Sequence, residues 1–182
     1  MQIICLNCRG PLKKTGQDYT CSCCGKVYST YGNAINFVDE YIDNGIIDVY
    51  ENINDKYNET SIGKYVNFMN LGYCENSNEN LIGKSAFQNS IINRNSISLI
   101  LKIFYQMNLE NLDVLDLGCG RCGAIYTIQR MYKSCRLYGI DICKNGLLGK
   151  ITNNELIICD FQNDIPFESD SFNLVYSIEV FH

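Results

Sequence analysis

The clearest pattern along the chain is an alternation of helical and strand-like apolar stretches after residue 95. A helix is predicted to begin at Asn95 or Ser96, because apolar residues then recur every three or four positions up to Met107. Four short apolar runs follow, at residues 114–117, 137–140, 156–159 and 174–178, and a second helical spacing covers 123–133. Strands that alternate with helices predict an α/β fold, a Rossmann-like parallel sheet with right-handed crossovers.

The first 95 residues lack this regular alternation and divide into two parts. Residues 39–95 show apolar positions at mixed spacings of three and four, which predicts short connecting helices broken at Gly45 and Gly63, with a polar loop at 74–84. Residues 1–38 carry clustered cysteines and short strands instead. We therefore predict a small domain at 1–38, a helical connection at 39–95 and the larger α/β domain at 96–182.

Composition narrows the class of protein. A chain of 182 residues that is 46% hydrophobic can bury one proper core and a small satellite. A net charge of −5 does not favour a nucleic-acid binder, since phosphate backbones are held mainly by surplus lysine and arginine. The sequence has no apolar run long enough to span a membrane and no signal-peptide pattern. We therefore expect a soluble, cytoplasmic protein that does not bind membranes.

Five of the eleven cysteines lie before residue 25 and form two C-x-x-C pairs, Cys5 with Cys8 and Cys21 with Cys24. Four thiolates in this spacing suit a tetrahedral structural Zn²⁺, and the twelve residues between the pairs suffice for a hairpin. We prefer Cys24 to Cys23 as the fourth ligand, since it keeps the two-residue spacing and precedes a glycine. Two disulfides are the alternative, which a reducing compartment disfavours.

The stretch "VLDLGCGRCG" combines a buried carboxylate with a bare backbone. Asp116 lies inside the first strand of the sheet, two residues before Gly118, and Gly120 follows. A buried carboxylate is costly unless a hydrogen bond or a positive ligand group compensates it. Because Asp116 would repel the pyrophosphate of a dinucleotide, a ligand with an ammonium group fits better, and S-adenosylmethionine has one. The glycines let such a ligand pass close to the backbone.

Two further acids follow the next two strands. Asp141 ends the second strand, where a carboxylate can accept both ribose hydroxyls of either a nicotinamide or an adenosylmethionine ligand. Asp160 and Phe161 follow the third strand and would lie beside the adenine, with the acid accepting from the exocyclic amine. Each acid alone is equally well explained as a surface turn or a helix cap. Their joint placement favours a nucleotide-like cofactor.

Residues 2–38 resemble the zinc-ribbon activator subunit that partners methyltransferases acting on tRNA and on translation factors. The resemblance rests on the two cysteine pairs, on Gly10-Pro11-Leu12, and on an apolar tail that ends in Phe37-Val38. Similar ribbons also occur fused in front of methyltransferase domains.

Residues 110–182 resemble the class I S-adenosylmethionine-dependent methyltransferases. "VLDLGCGRCG" is similar to their glycine-rich motif, "LYGIDIC" and "IICDF" to their ribose and adenine motifs, and "IPFESDSFNLVYSIEVFH" to their fourth strand and its approach. The resemblance implies that the methionine end lies over Asp116, Gly118 and Gly120, with Ser177 and Ile178 near the sulfonium. It also implies that Ile142 lies at the cofactor, next to Asp141.

The chain departs from this family at two points. Cys122 stands where the family has a small residue, usually glycine, and a thiol there would crowd the cofactor. Complete members also add at least three strands after the fourth, which predicts an open sheet edge through which the chain self-associates or binds a protein partner.

These observations lead to one main functional prediction and two alternatives. The main prediction is an S-adenosylmethionine-dependent methyltransferase whose acceptor is unknown. A non-catalytic module that binds cofactor or docks on a partner is the alternative, and a nicotinamide-dependent reductase is the least favoured because of Asp116. Methyl transfer needs a base only when the acceptor must lose a proton. His182, the only histidine, is the candidate for that base.

Overall fold

The computed structural model describes residues 2–38, 45–90, 92–147 and 155–180, which form two sheets and three α-helices. The smaller sheet is antiparallel and contains β1 (Leu12–Thr15), β2 (Asp18–Cys21) and β3 (Val27–Tyr28). The larger sheet contains β4 (Thr30–Tyr31), β5 (Ala34–Asn36), β6 (Asp113–Leu117), β7 (Arg136–Asp141), β8 (Glu155–Ile158) and β9 (Leu174–Tyr176). The helices are α1 (Gly45–Glu59), α2 (Arg94–Phe104) and α3 (Gly123–Met131), and two 3-10 turns cover Gly63–Tyr65 and Lys144–Gly146.

The larger sheet has the order β4-β5-β8-β7-β6-β9. Every neighbouring pair is parallel except the β4–β5 hairpin. The four strands predicted from apolar runs are therefore present, and the α/β class with a mostly parallel sheet is confirmed. Because these four strands are parallel, their carboxyl ends meet at one edge of the sheet.

The tail of the cysteine-rich segment is part of this sheet, which the sequence pattern does not predict. Ala34 and Ile35 of β5 are both buried, although adjacent strand residues point to opposite faces. The strand pairs in parallel with β8, and the Phe37 N–H donates to the Ile158 carbonyl at 2.8 Å. A strand buried on both faces is typical of a sheet interior, so β5 joins the two parts of the chain.

Different parts of the chain cover the two faces of the sheet. On β6, Val114 belongs to a cluster with Ile100 and Ile125 from α2 and α3. Its neighbour Leu115 belongs to a second cluster, on the face covered by the cysteine-rich segment and by Phe167. One face is thus covered by helices and the other by the N-terminal segment.

In the described residues, β9 lies at one end of the sheet, and Val175 in it is 49% exposed. Association through this edge stays a prediction, which sedimentation of the purified chain tests. Of the predicted breaks, Gly45 begins α1 and Gly63 begins a 3-10 turn. None of the described helices is both long and apolar enough to cross a membrane.

Candidate functional site

A cavity of about 300 Å³ lies at the carboxyl ends of β6, β7, β8 and β9. Its lining includes seven of the residues predicted to contact a cofactor: Asp116, Gly118, Gly120, Asp141, Ile142, Asp160 and Phe161. Ser177 does not line it, because its hydroxyl donates to the Leu117 carbonyl at 2.9 Å, whereas the next residue, Ile178, does. The lining also includes residues of α1, residues 67–70, Ile100 of α2, Ala124 of α3 and residues 179–180 after β9.

The glycine turn, residues 118–123, forms the floor of the cavity. Gly118 has φ +77, and a Cβ there would lie 2.4 Å from a methyl group of Val180. Gly120 has φ +51, and a Cβ there would meet no atom within 4 Å. Gly118 therefore satisfies a packing constraint, whereas Gly120, which also lines the cavity, has open space beside it.

Asp116 is the most unusual ionisable group of the site. It is 3% exposed, and its Oδ2 accepts a hydrogen bond from the Tyr176 hydroxyl at 2.9 Å. Among the described residues, no lysine or arginine forms an ion pair with it. Burial raises the pKa of Asp116 to about 7, and the bond from Tyr176 offsets only part of that effect.

Asp141 holds the glycine turn in place. Its Oδ2 accepts the Gly120 N–H at 2.7 Å, and its Oδ1 accepts the Cys143 N–H at 2.8 Å. Burial raises the pKa of this carboxyl as well, against the effect of these backbone donors. The Ile142 N–H and the Cys143 thiol also bond to this carboxyl, so the hydroxyls of a ligand would share or replace donors that are already present.

Asp160 caps the turn that follows β8. Its Oδ1 accepts the Gln162 N–H at 3.1 Å, and its Oδ2 accepts the Asn163 side-chain amide at 2.8 Å. The turn-stabilising role and a place in the cavity wall are therefore both observed, and they are compatible, since a carboxylate has about four acceptor positions.

Arg121, inside the glycine turn, is a site residue that the sequence analysis does not identify. It is 1% exposed, and within the part of the chain that the structure describes its guanidinium donates to four neutral oxygens. These are the Val66 carbonyl at 2.7 Å, Asn54 Oδ1 at 2.9 Å, Asn58 Oδ1 at 3.1 Å and the Gly63 carbonyl at 3.0 Å. Burial lowers the pKa of Arg121. The residue fastens α1 and the following segment over the glycine turn.

Asn70 is the second residue that the sequence does not reveal. It lines the cavity, and its Oδ1 is buried with no hydrogen-bond partner in the described part of the chain. A buried carbonyl oxygen without a partner is costly, so a donor group of a bound ligand would stabilise it. No local sequence signal marks this asparagine.

The cysteine-rich segment brings together the four sulfurs predicted to bind a metal. The Sγ atoms of Cys5, Cys8, Cys21 and Cys24 all lie within 4.8 Å of one another. Two pairs are closer, Cys5 to Cys24 at 3.7 Å and Cys8 to Cys21 at 3.4 Å. Four ligands at the usual Zn–S distance of about 2.3 Å are roughly 3.8 Å apart, so the group fits a tetrahedral zinc.

Two further observations concern the predicted cysteines. Cys23 is outside the four-sulfur group, which leaves Cys24 in the place that the spacing predicts. A hydrogen bond from the Lys26 backbone, followed in importance by one from the Asn7 side chain, lowers the pKa of Cys24 to about 6. The thiolate is the form of cysteine that binds a metal.

Cys122 does not crowd the cavity. It is 1% exposed, precedes α3 with φ +62, and does not belong to the cavity lining. Its side chain turns to Cys119, where a hydrogen bond between the two thiols raises the pKa of Cys119 well above its ordinary value. The crowding expected from the resemblance is therefore wrong. His182, the candidate base, lies outside the described residues.

Comparisons with known proteins bear on the same part of the chain. Residues 115–182 match the family model described as a methyltransferase domain. A fatty-acid O-methyltransferase from Mycolicibacterium smegmatis is 29% identical over 120 residues. That alignment covers 63% of this chain and 42% of the relative, so the chain spans less than half of that protein's length.

Solved structures of the plantazolicin methyltransferase BpumL are also similar to this chain. The complex with S-adenosylhomocysteine and a pentazolic desmethyl analogue is 16% identical, with a TM-score of 0.29, over 72% of this chain and 47% of BpumL. The complex with S-adenosylhomocysteine alone is 16% identical, with a TM-score of 0.30, over 73% and 48% of the two chains.

Proposed function

We propose that residues 115–182, which match a methyltransferase domain, are part of a class I S-adenosylmethionine-dependent methyltransferase, that the cavity binds S-adenosylmethionine and that the protein methylates an acceptor. The observation that carries the proposal is the meeting of three acids and an open glycine turn in one cavity. The acids follow three neighbouring strands, where a ligand of a parallel sheet is expected.

The residues of the cavity fit the parts of this cofactor. Asp116 is a buried acid with no cationic partner among the described residues and suits the ammonium of the methionine end. The orphaned oxygen of Asn70 adds an acceptor in the same cavity. Asp141 and Ile142 would hold the ribose, and Asp160 with Phe161 the adenine. Ser177 would act indirectly, by fixing the end of β9 beside β6.

When bound, S-adenosylmethionine supplies an activated methyl group for in-line displacement by a nucleophile. The chain contributes positioning and exclusion of water. Arg121 ties α1 and residues 63–66 to the glycine turn, and α1 lines the cavity through Ile47, Tyr50 and Asn54.

Calorimetric titration with S-adenosylhomocysteine tests the assignment of the cavity. We expect one molecule to bind per chain and Asp141→Asn to weaken binding by about 2 to 4 kcal/mol, because charge-assisted hydrogen bonds are lost. Glu168→Gln is the matched control, since Glu168 is exposed and lies outside the cavity. Equal affinity of Asp141→Asn and the parent protein would contradict the assignment.

A further proposal concerns the acceptor. The relative from Mycolicibacterium smegmatis is named for a fatty acid, and the segment that covers this cavity exposes apolar side chains, with Met69 at 37% and Leu71 at 91%. We therefore propose an apolar acceptor that carries a carboxylate or hydroxyl. Transfer of a labelled methyl group to fatty acids should fall in Leu71→Asp and persist in Ile103→Asp, which alters an exposed position on α2. Equal transfer by the two variants would count against this acceptor.

The same assay separates an enzyme from a non-catalytic binding module. A methyltransferase binds S-adenosylhomocysteine and also methylates some member of a broad acceptor panel, whereas a binding module only binds. The comparison should include the longest native reading frame, since relatives of this chain are more than twice as long as the matched part.

We also propose that Cys5, Cys8, Cys21 and Cys24 hold one structural Zn²⁺ and that the protein is cytoplasmic, where such thiolates stay reduced. The support is the spacing of the four sulfurs and the small size of the segment, which a metal would stabilise. Elemental analysis should find one zinc per chain and none after Cys8→Ser with Cys24→Ser, while Cys23→Ser keeps the metal. Metal-free parent protein, purified without chelator, would refute the site.

A further inference from the structure

The N-terminal cysteine pair is fastened to the loop that follows β8. We call residues Cys5–Gly10 the knuckle and residues 159–167 the β8 loop. Arg9 of the knuckle donates to Asp164 Oδ2 at 2.9 Å, to the Ile165 carbonyl at 3.1 Å and to the Phe167 carbonyl at 2.5 Å. One side chain therefore binds three acceptors within four consecutive residues, across a sequence separation of more than 150 residues.

The backbone next to the knuckle contacts the same loop. The Ile4 N–H donates to the Pro166 carbonyl at 2.9 Å, and Ile3 forms an antiparallel bridge with Phe167. Phe167 is 1% exposed and packs in the same apolar cluster as the predicted metal ligands Cys5 and Cys21. The carboxyl end of the β8 loop is therefore fixed by the cysteine-rich segment.

The other end of the β8 loop reaches the cavity. Asp160, Phe161 and Gln162 line the cavity, and the Asp160 carboxylate closes the turn over residues 160–163. The Cys159 thiol donates to the Asp164 carbonyl at 3.3 Å, which ties the two ends of this short segment together. A displacement of Asp164 would therefore also move Asp160, because hydrogen bonds connect the residues between them.

The backbone conformation of the knuckle determines the position from which the Arg9 side chain extends to the β8 loop. Arg9 lies directly after Cys8 and has φ +61, which is a left-handed conformation that a non-glycine residue rarely adopts. Two backbone bonds of 2.8 Å keep it there, from the Cys5 N–H to the Gly10 carbonyl and from the Arg9 N–H to the Cys5 carbonyl. A metal held by Cys5 and Cys8 would stabilise the same turn.

We infer that Arg9 is a positioning residue for the adenine side of the cofactor cavity, and that metal binding by the knuckle and cofactor binding by the cavity are coupled through it. The inference rests on the proposed function. It assigns to the cysteine-rich segment a role in cofactor affinity, beyond covering one face of the sheet.

The test is calorimetric titration of purified Arg9→Met with S-adenosylhomocysteine and with its inosine counterpart, which lacks the exocyclic amine. We expect binding of S-adenosylhomocysteine to weaken about tenfold, since charge-assisted bonds that hold the loop are lost. Binding of the inosine compound should change less. The discrimination, which is the ratio of the affinities for the adenine and the inosine compounds, should therefore decrease. Lys13→Met, an exposed lysine on β1, is the control and should match the parent protein.

A merely structural role would lower the melting temperature and weaken both ligands equally, and this result would overturn the inference. Asp164→Asn provides a milder variant in case Arg9→Met does not fold, and it should narrow the discrimination about two- to threefold. Removal of metal from the parent by a chelator should reproduce the loss of discrimination, and should add little to Arg9→Met. Unchanged discrimination in the metal-free parent would contradict the coupling.

The outcomes also separate this inference from the proposed function. If the parent protein does not bind S-adenosylhomocysteine, the proposed function fails. If the parent binds it and Arg9→Met binds both ligands as the parent does, the proposed function stands and the inference is wrong.

Discussion

Charged side chains have different partners at the two ends of the parallel strands. At the amino end, Asp113 of β6 pairs with Arg136 through two bonds, of 2.7 and 2.6 Å, and this hydrogen bonding lowers the pKa of Asp113. At the carboxyl end of the same strand, the Asp116 carboxylate accepts, among the residues that the structure describes, a hydrogen bond from the Tyr176 hydroxyl, and burial raises its pKa to about 7. The two acids are three positions apart on β6, and within the described residues an ion pair is present for Asp113 and absent for Asp116.

The arginines of the two ends differ in the same way. Arg136 is exposed and paired with a carboxylate, whereas Arg121 is buried among neutral oxygens. Perturbed ionisable groups in a cavity are typical of ligand sites. The amino end therefore has the character of a stabilised surface, and the carboxyl end that of a site whose charges are completed by a ligand.

The largest effect should come from the arginines. Arg121→Met leaves carbonyl and amide oxygens on α1 and residues 63–66 without donors, and we expect it to reduce the free energy of unfolding by about 3 kcal/mol. Arg136→Met removes an exposed ion pair and should cost less than about 1 kcal/mol. Urea unfolding of both variants measures the difference, and similar losses would contradict the contrast between the two ends.

The glycine turn should show the next largest effect, on ligand binding. Gly120→Ala places a methyl group in open space of the cavity at φ +51, and we expect it to weaken S-adenosylhomocysteine about a hundredfold. Gly16→Ala is the matched control, with φ +69 and equally open space in the β1–β2 turn. Both variants should lose about 1 kcal/mol of stability from the left-handed backbone. If Gly120→Ala bound S-adenosylhomocysteine as tightly as the parent, the ligand would not lie against Gly120.

The two aspartates of β6 give a smaller and more specific contrast. Asp116→Asn removes the partner proposed for the ammonium group and should weaken S-adenosylhomocysteine about tenfold at pH 8. Asp113→Asn changes an acid on the same strand, outside the cavity, and should leave the affinity unchanged. Calorimetry on both variants checks this, and equal losses would refute a direct role for Asp116.

The smallest effect expected is on the pH dependence of stability without ligand. Because the folded-state pKa of Asp116 lies above its unfolded value, its contribution is greatest at low pH and is lost as pH rises from about 4 to 7. Asp113 has a lowered pKa, so its contribution is lost only as pH falls below about 4. Asp116→Asn should therefore gain about 1 kcal/mol of stability relative to the parent between pH 5.5 and pH 6.5 in urea unfolding. If the difference in stability between Asp116→Asn and the parent did not change with pH, the raised pKa of Asp116 would be contradicted.

The sequence predicts the parts of this contrast that local patterns encode. The apolar runs locate β6, β7, β8 and β9, and the position of Asp116, Asp141 and Asp160 after or within strands places them at one edge, because parallel strands share their direction. The C-x-x-C spacing likewise brings four sulfurs together.

Other features depend on contacts between distant residues, which no local pattern reveals. The pairing of β5 with β8 joins positions about 120 residues apart and shows only as two adjacent buried residues, Ala34 and Ile35. Arg121 and Arg9 look like ordinary surface arginines in the sequence, and their roles come from partners 55 and 155 residues away. Ser177 follows the motif but is drawn to the Leu117 carbonyl by the pairing of β9 with β6.

We propose that Asp116, at the carboxyl end of the sheet, is a buried acid that binds a positively charged group of the ligand. The most direct measurement is the affinity for S-adenosylhomocysteine between pH 6 and pH 8 in the parent and in Asp116→Asn. Deprotonation of Asp116, with its pKa of about 7, should raise the affinity of the parent about tenfold over this range, whereas the variant should show a flat profile. The same pH profile in both proteins would mean that Asp116 does not bind the positively charged group.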